Sequence, residues 1–240
     1  VYGNLKVMSM GLLLHNTEQP VIWLGPMKAN MIKEFFKGVA WGDLDYLVVD
    51  SPPGTGDEPL SLAQLLGAKG SAVIVTTPQK LATVDVEKCI VFCRQLNLPV
   101  TGIVENMSGF VCPHCGQEVD VFLSGGGEKL AEQFDVPFLG KIPLDPDIVK
   151  SGDDERPYVY FYAQSKTAQR FSEIVEKILH VEKTETTATS IEHSARPSIL
   201  SPTNDRESEK EGRVSQKEAT MKFAVPTYEG KLCAHFGHCE

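Results

Sequence analysis

The stretch Asp45-Tyr-Leu-Val-Val-Asp-Ser-Pro-Pro-Gly-Thr-Gly-Asp-Glu58 decides how the chain is read. Tyr46 to Val49 is an unbroken apolar run with two β-branched residues, the pattern of a short strand covered on both faces in a parallel sheet. The run stops at Asp50, so a carboxylate stands at a strand's carboxyl end. That edge is where open α/β sheets bind ligands, and an acidic group there suits a hydrated Mg²⁺ held against nucleotide phosphates. In Ser51-Pro52-Pro53-Gly54-Thr55-Gly56 two prolines stiffen the turn, and two glycines allow backbone N–H groups to approach an anion. The same residues also fit a rigid turn that binds nothing.

Working outward, short strands alternate with amphipathic helices. Strands are expected at Leu5 to Leu14, Val21 to Leu24, Ala72 to Val75, Val100 to Val104 and Phe138 to Ile142. Helices are expected at Ala29 to Val39, Leu81 to Leu96 and Ser165 to His180, where apolar residues recur at three- and four-residue spacings, and at Pro59 to Leu66, which Gly67 stops, and Gly125 to Phe134. This alternation calls for right-handed crossovers and a doubly wound, mostly parallel α/β sheet. Phe110 to Phe122 interrupts it with Cys112-Pro-His-Cys115 and a short alternating run, the signature of a hairpin arm. Val181 to Thr220 is rich in Ser, Thr, Glu and Lys, contains no aromatic residue and reads as a flexible linker. Met221 to Pro226 then reads as a strand opening a second α/β unit over 221–240, with Cys233, His235, His238 and Cys239 close behind it.

A net charge of −9 over 240 residues argues against a nucleic-acid partner held on a basic surface. The apolar runs are strand-sized, well short of the roughly 18 residues of a membrane span, so a cytoplasmic protein is expected. Six cysteines, four of them in two close pairs, suggest metal or redox sites more than a disulfide scaffold. Cys112 and Cys115 can both reach one metal, but two ligands leave a four-coordinate site half built. An iron–sulfur cluster, a zinc shared between subunits and a thiol–disulfide exchange site all fit this pair. Cys89 and Cys93 share the apolar face of one helix and read as core.

Several of these motifs together, Val21-Ile-Trp-Leu-Gly-Pro-Met27, Asp50-Ser-Pro-Pro-Gly-Thr-Gly-Asp57, Thr76-Thr-Pro-Gln79, Glu105-Asn-Met-Ser-Gly109 and Cys112-Pro-His-Cys115, resemble the Mrp/ApbC family. These are P-loop ATPases of the MinD/ParA and nitrogenase-iron-protein group that carry and transfer iron–sulfur clusters. The resemblance covers residues 1–180. It implies Asp50 in the Mg²⁺ shell, the Gly54 N–H on the terminal phosphate of ATP, and Asn106, Pro143 and Asp145 on adenine. It also implies a [4Fe–4S] cluster bridging Cys112 and Cys115 of two subunits in a homodimer, with apo iron–sulfur proteins as recipients.

Asp57 fits the family motif, although a carboxylate there can equally complement a helix dipole. Where the family commonly has Arg before Gly-Pro-Met, this chain has Leu24. No Gly-x-x-x-x-Gly-Lys-Ser/Thr pattern occurs in the 240 residues, and Ser124-Gly-Gly-Gly127 leads to Glu128-Lys129 without a hydroxyl. The chain therefore reads as a fragment whose phosphate-cradling loop lies upstream, and weak or absent ATP binding is expected of it. Residues 221–240 resemble the start of NifX/NifB-tail cofactor-binding domains. A ParA/MinD-like positioning switch and a zinc-stabilised dimeric scaffold are the competing functional readings.

Overall fold

In the computed structural model, described over residues 5–14, 25–112, 115, 117–193 and 220–226, the chain forms one six-stranded sheet flanked by helices. The strands are β1 (Tyr46–Asp50), β2 (Gly70–Thr76), β3 (Val100–Val111), β4 (Glu118–Val119), β5 (Phe138–Leu144) and β6 (Thr220–Pro226). The helices are α1 (Gly25–Lys37), α2 (Asp57–Leu66), α3 (Lys80–Gln95), α4 (Gly126–Phe134), α5 (Pro146–Asp153), α6 (Tyr158–Phe161) and α7 (Lys166–His193). The path across the sheet is β1-β6-β2-β3-β4, with β5 also on β3. Every pairing is parallel except that of β4 with β3.

Successive side chains of a strand face opposite ways, and β2 and β3 use both faces. Ala72, Ile74 and Ile103 pack with Ala63 and Leu66 of α2, Val86, Cys89, Ile90 and Cys93 of α3, and Leu130 and Ala131 of α4. Val73, Val75 and Val104 face the other layer, with Ile148 of α5, Tyr158 of α6 and Ala168 and Ile174 of α7. Helices on both faces of a parallel sheet make the doubly wound architecture that the alternation predicts. Cys89 and Cys93 are core residues, as expected. Hydrogen bonding to the Cys93 sulfur, together with burial, pushes the Cys89 thiol up, so it stays protonated.

Several expectations need correction. Leu5 to Leu14 is not a strand: the Ser9 hydroxyl accepts from the Gly11 N–H and starts a 3-10 turn at Met10–Leu12, leaving Leu5, Val7 and Leu12 exposed. The strand β1 is not covered on both faces, since Val48 is 71% and Tyr46 46% exposed. Helix α7 runs to His193, thirteen residues into the expected linker. Residues 21–24, 194–219 and 227–240 lie outside the described residues.

The largest difference concerns the strand expected to open a second unit. Instead, β6 lies inside the sheet, with Tyr46 to Asp50 paired to Thr220 to Ala224 on one side. On the other, Gly70 to Val75 pairs with Met221 to Pro226. Short β-branched strands present unpaired backbone groups on both edges, so the gap between β1 and β2 is satisfied by any apolar parallel strand that reaches it.

A proline in a central strand removes a ladder N–H. Ala224→Pro should therefore lower the unfolding free energy of the domain by about 1–3 kcal/mol, read from urea midpoints. An unchanged midpoint would show that β6 does not sit in the sheet.

Candidate functional site

Because the main strands are parallel, their carboxyl ends share one edge. Asp50 ends β1, and Ser51 to Gly56 follow as an irregular loop before α2. Gly54 has φ +91, a left-handed conformation that favours glycine even though a Cβ there would meet nothing within 4 Å. The hydroxyl of Ser51 beside Asp50 is buried with no hydrogen-bond partner among the described residues, as is that of Thr77 after β2. A buried hydroxyl without a partner costs free energy, and a polar ligand would relieve it. Asp57 opens α2, and its Oδ2 also lies against Gly25 at the start of α1. Lys28 of α1 donates to Glu58 of α2 at 2.6 Å, which holds the Glu58 carboxyl below its usual range. The loop is thus framed by two helix starts.

Asn106, Pro143 and Asp145 are brought together. Asn106 on β3 pairs with Ile142 on β5, and Pro143 and Asp145 follow directly. The Asn106 Oδ1 accepts from the Met107 N–H at 2.9 Å, which leaves its amide N–H₂ to donate. Asp145 does other work as well. Its Oδ1 accepts from the Asp147 N–H at 2.9 Å and caps α5, and its Oδ2 accepts from the Tyr158 hydroxyl at 2.7 Å. A cleft of about 180 Å³ joins Pro143 and Asp145 to Val111 at the root of the cysteine arm. A larger hollow of about 420 Å³ beside α3 contains none of the expected site residues.

Asp50 is not in contact range of Asn106. Three strand spacings separate β1 from β3, about 14 Å at 4.8 Å each. The edge is wide enough for one elongated ligand to touch both.

Beyond Asn106, β3 continues far past the expected Val104. Left-handed Met107 (φ 56) and Gly109 (φ 77) break its ladder with β5 and re-aim it. Phe110 and Val111 then pair antiparallel with Val119 and Glu118, and the Cys112 N–H donates to the Gln117 carbonyl at 3.0 Å. This is the expected arm. Cys112 is half-buried, Cys115 is exposed, and neither is in a disulfide. Among the described residues no cluster of three or more potential ligands could hold a metal, so this pair has no third protein ligand there.

Sequence reasoning missed Glu105. It is fully buried on β3, accepting at Oε1 from the Gly125 N–H (2.8 Å) and the Ser108 hydroxyl (2.5 Å), and at Oε2 from the Gly127 N–H (2.5 Å). Ser124-Gly-Gly-Gly127 thus leads into α4 as a phosphate-binding loop leads into its helix, but the anion it holds is an internal carboxylate. A Cβ on Gly126 would lie 2.3 Å from the Pro78 carbonyl, and one on Gly127 2.9 Å from Thr76. Those glycines bring α4 directly onto the strand ends. The glycine cluster is the one local signal for this anchor, and it is passed over in sequence because no hydroxyl residue follows it.

The model for NUBPL iron-transfer P-loop NTPases (ParA) matches residues 1–179. The chain belongs to that family. The cytosolic Fe-S cluster assembly factor CFD1 of Saccharomyces cerevisiae is 45% identical over 206 residues, covering 83% of this chain and 69% of that protein. The NUBP2 homolog of Nematostella vectensis is 48% identical over 178 residues, covering 73% and 66%. The iron-sulfur cluster carrier protein of Methanocaldococcus jannaschii is 47% identical over 181 residues, covering 75% and 61%. The chain spans about two thirds of the length of these relatives. A nucleotide-binding protein of Archaeoglobus fulgidus, solved in complex with ADP, is 46% identical, with a TM-score of 0.49 over 54% of this chain and 53% of that one. Among the described residues, no helix is long and apolar enough to cross a membrane.

Tyr158 provides a check on the Asp145 side of this edge. Burial first, and the neighbouring Asp145 carboxylate as well, raise its hydroxyl above the ordinary value of 10.0. The native state then holds a proton that the unfolded chain releases, so this contribution is complete below pH 10.0 and lost as pH rises through the raised value. Tyr158→Phe should cost about 1 kcal/mol at neutral pH and flatten the alkaline decline in thermal midpoint. A decline as steep as in the unaltered protein would assign alkaline unfolding to other groups.

Proposed function

We propose that this chain is part of an ATP-dependent iron–sulfur cluster carrier. In this reading two copies share one [4Fe–4S] cargo through Cys112 and Cys115 and pass it to apo iron–sulfur proteins. The observation that carries it is the arm's root. The strand that carries Asn106 runs on to Val111 and leads into Cys112, so the proposed nucleotide edge and the thiolate pair stand on one piece of backbone.

The donor sets suit the groups proposed. A strand-end carboxylate at Asp50 and the buried Ser51 hydroxyl beside it, without a partner among the described residues, are oxygen donors, the kind Mg²⁺ takes. Bound there, Mg²⁺ would neutralise charge on the phosphates. Gly54, in its left-handed turn, would offer its N–H to the terminal phosphate, and loss of that contact would free the loop. The Asn106 amide would donate to the adenine edge beside Pro143, while Asp145 keeps the α5 end in place. Soft thiolates on an exposed arm suit iron or zinc, and two per chain call for a second copy to complete four. The names of the relatives, cytosolic cluster assembly factors and a cluster carrier, support cargo transfer in the cytosol.

Anaerobic reconstitution with iron and sulfide should give a brown dimer with a broad absorption in the blue part of the visible range. The colour and the dimer should both be lost in Cys112→Ala/Cys115→Ala. Uptake of zinc but not of iron would favour a structural metal, and a colourless monomer that takes up neither would end the carrier reading.

A further inference from the structure

Glu105 is a fully buried carboxylate that the nucleotide and metal roles leave unused. Burying a charge is costly unless it is well hydrogen-bonded, and a serine or aspartate at the N-cap would hold the start of α4 more cheaply. The N-cap of α4 is Gly125 (φ 85), which has no side chain to offer, and Ser124 faces Ser108 instead at 3.1 Å. Glu105 therefore does more than cap. Its Oε1 takes the hydroxyl of Ser108, on the strand leaving for Cys112, and the N–H of Gly125, on the chain returning from the arm. Its Oε2 takes the N–H of Gly127 in the first turn of α4. Both feet of the arm and the helix that follows converge on one carboxylate, one residue before Asn106.

We propose that Glu105 is the positioning residue of the cysteine arm: by clamping both of its feet to the end of β3, it fixes where Cys112 and Cys115 stand relative to the nucleotide edge. Ser108 and Ser124 are the neutral parts of the same clamp. The break in the ladder at Met107 and Gly109 gives the arm nothing regular to follow between Asn106 and Phe110. The carboxylate replaces the lost ladder as the constraint on direction. The thiolate role rests on the carrier reading, whereas the clamp itself does not.

The test compares Glu105→Gln with Thr101→Val in the full chain. Gln keeps the shape but turns an N–H₂ toward a backbone N–H. Thr101→Val removes a buried hydrogen bond to Ser71 at 2.9 Å on the same strand, far from the arm, and serves as the stability control. Amide exchange over 108–112 and 117–124 should be about tenfold faster in Glu105→Gln and unchanged in Thr101→Val. Unchanged exchange in Glu105→Gln overturns the clamp. Titration with Co²⁺ as a thiolate probe should show about tenfold weaker binding and an altered sulfur-to-cobalt absorption in Glu105→Gln only. Affinity and spectrum like the unaltered protein's would overturn the positioning of the thiolates. If the unaltered protein binds no Co²⁺ through Cys112 and Cys115, the carrier reading fails, and the exchange comparison alone judges the clamp. Should Glu105→Gln not fold, Ser108→Ala releases the outgoing foot by itself, and normal exchange over 108–112 in that variant would equally overturn the proposal.

Discussion

The structure depends on the parallel ladder between β2 and β3, flanked on both faces by apolar helices. Parallel pairing needs a crossover between every two strands, and the crossovers cover the sheet, so Ile74 and Ile103 on one face and Val75 and Val104 on the other are all packed. The same constraint sends the strand ends to one edge. Thr76, Glu105 and Asn106 stand together there because their strands run in one direction and in register. Chemistry at this edge follows from that geometry and would not survive a change in strand direction.

The edge also shows how one backbone device serves two purposes. Two glycine-bearing helix starts lie here, Gly54 to Gly56 ahead of α2 and Gly125 to Gly127 at the cap and first turn of α4. The first keeps an open, left-handed turn beside Asp50 and a Ser51 hydroxyl without a partner among the described residues. The second is closed around Glu105. Helix starts attract anions in either case, and the difference is whether the fold supplies the anion itself.

Much of the fold was legible in the sequence because the core elements are locally consistent. Helix α3 and strand β2 fall within one or two residues of their expected bounds, since apolar periodicity and burial agree there. Legibility failed where tertiary context decides. Leu5 to Leu14 has strand composition but no partner strand among the described residues. Val100 to Val111 outruns its apolar run because the arm extends the pairing through polar residues. At the site, the two cysteines and Asp50 stand out by residue type and spacing, and Asn106 through the family resemblance. The double duty of Asp145, holding α5 and Tyr158, is a matter of three-dimensional contact and leaves no local pattern. Glu105 was hidden for the same reason, as its partners Gly125 and Gly127 are twenty and more residues away.

The placement of β6 bears on how the molecule is made. Gly70 on β2 waits for Met221, about 150 residues later, and β1 waits longer still. As the chain leaves the ribosome, the edges of β1 and β2 emerge first and stay bare until residues 220–226 have followed them. During that interval they are open templates for a strand from any neighbouring polypeptide, so the nascent chain is most exposed to mispairing in the middle of what becomes its own sheet.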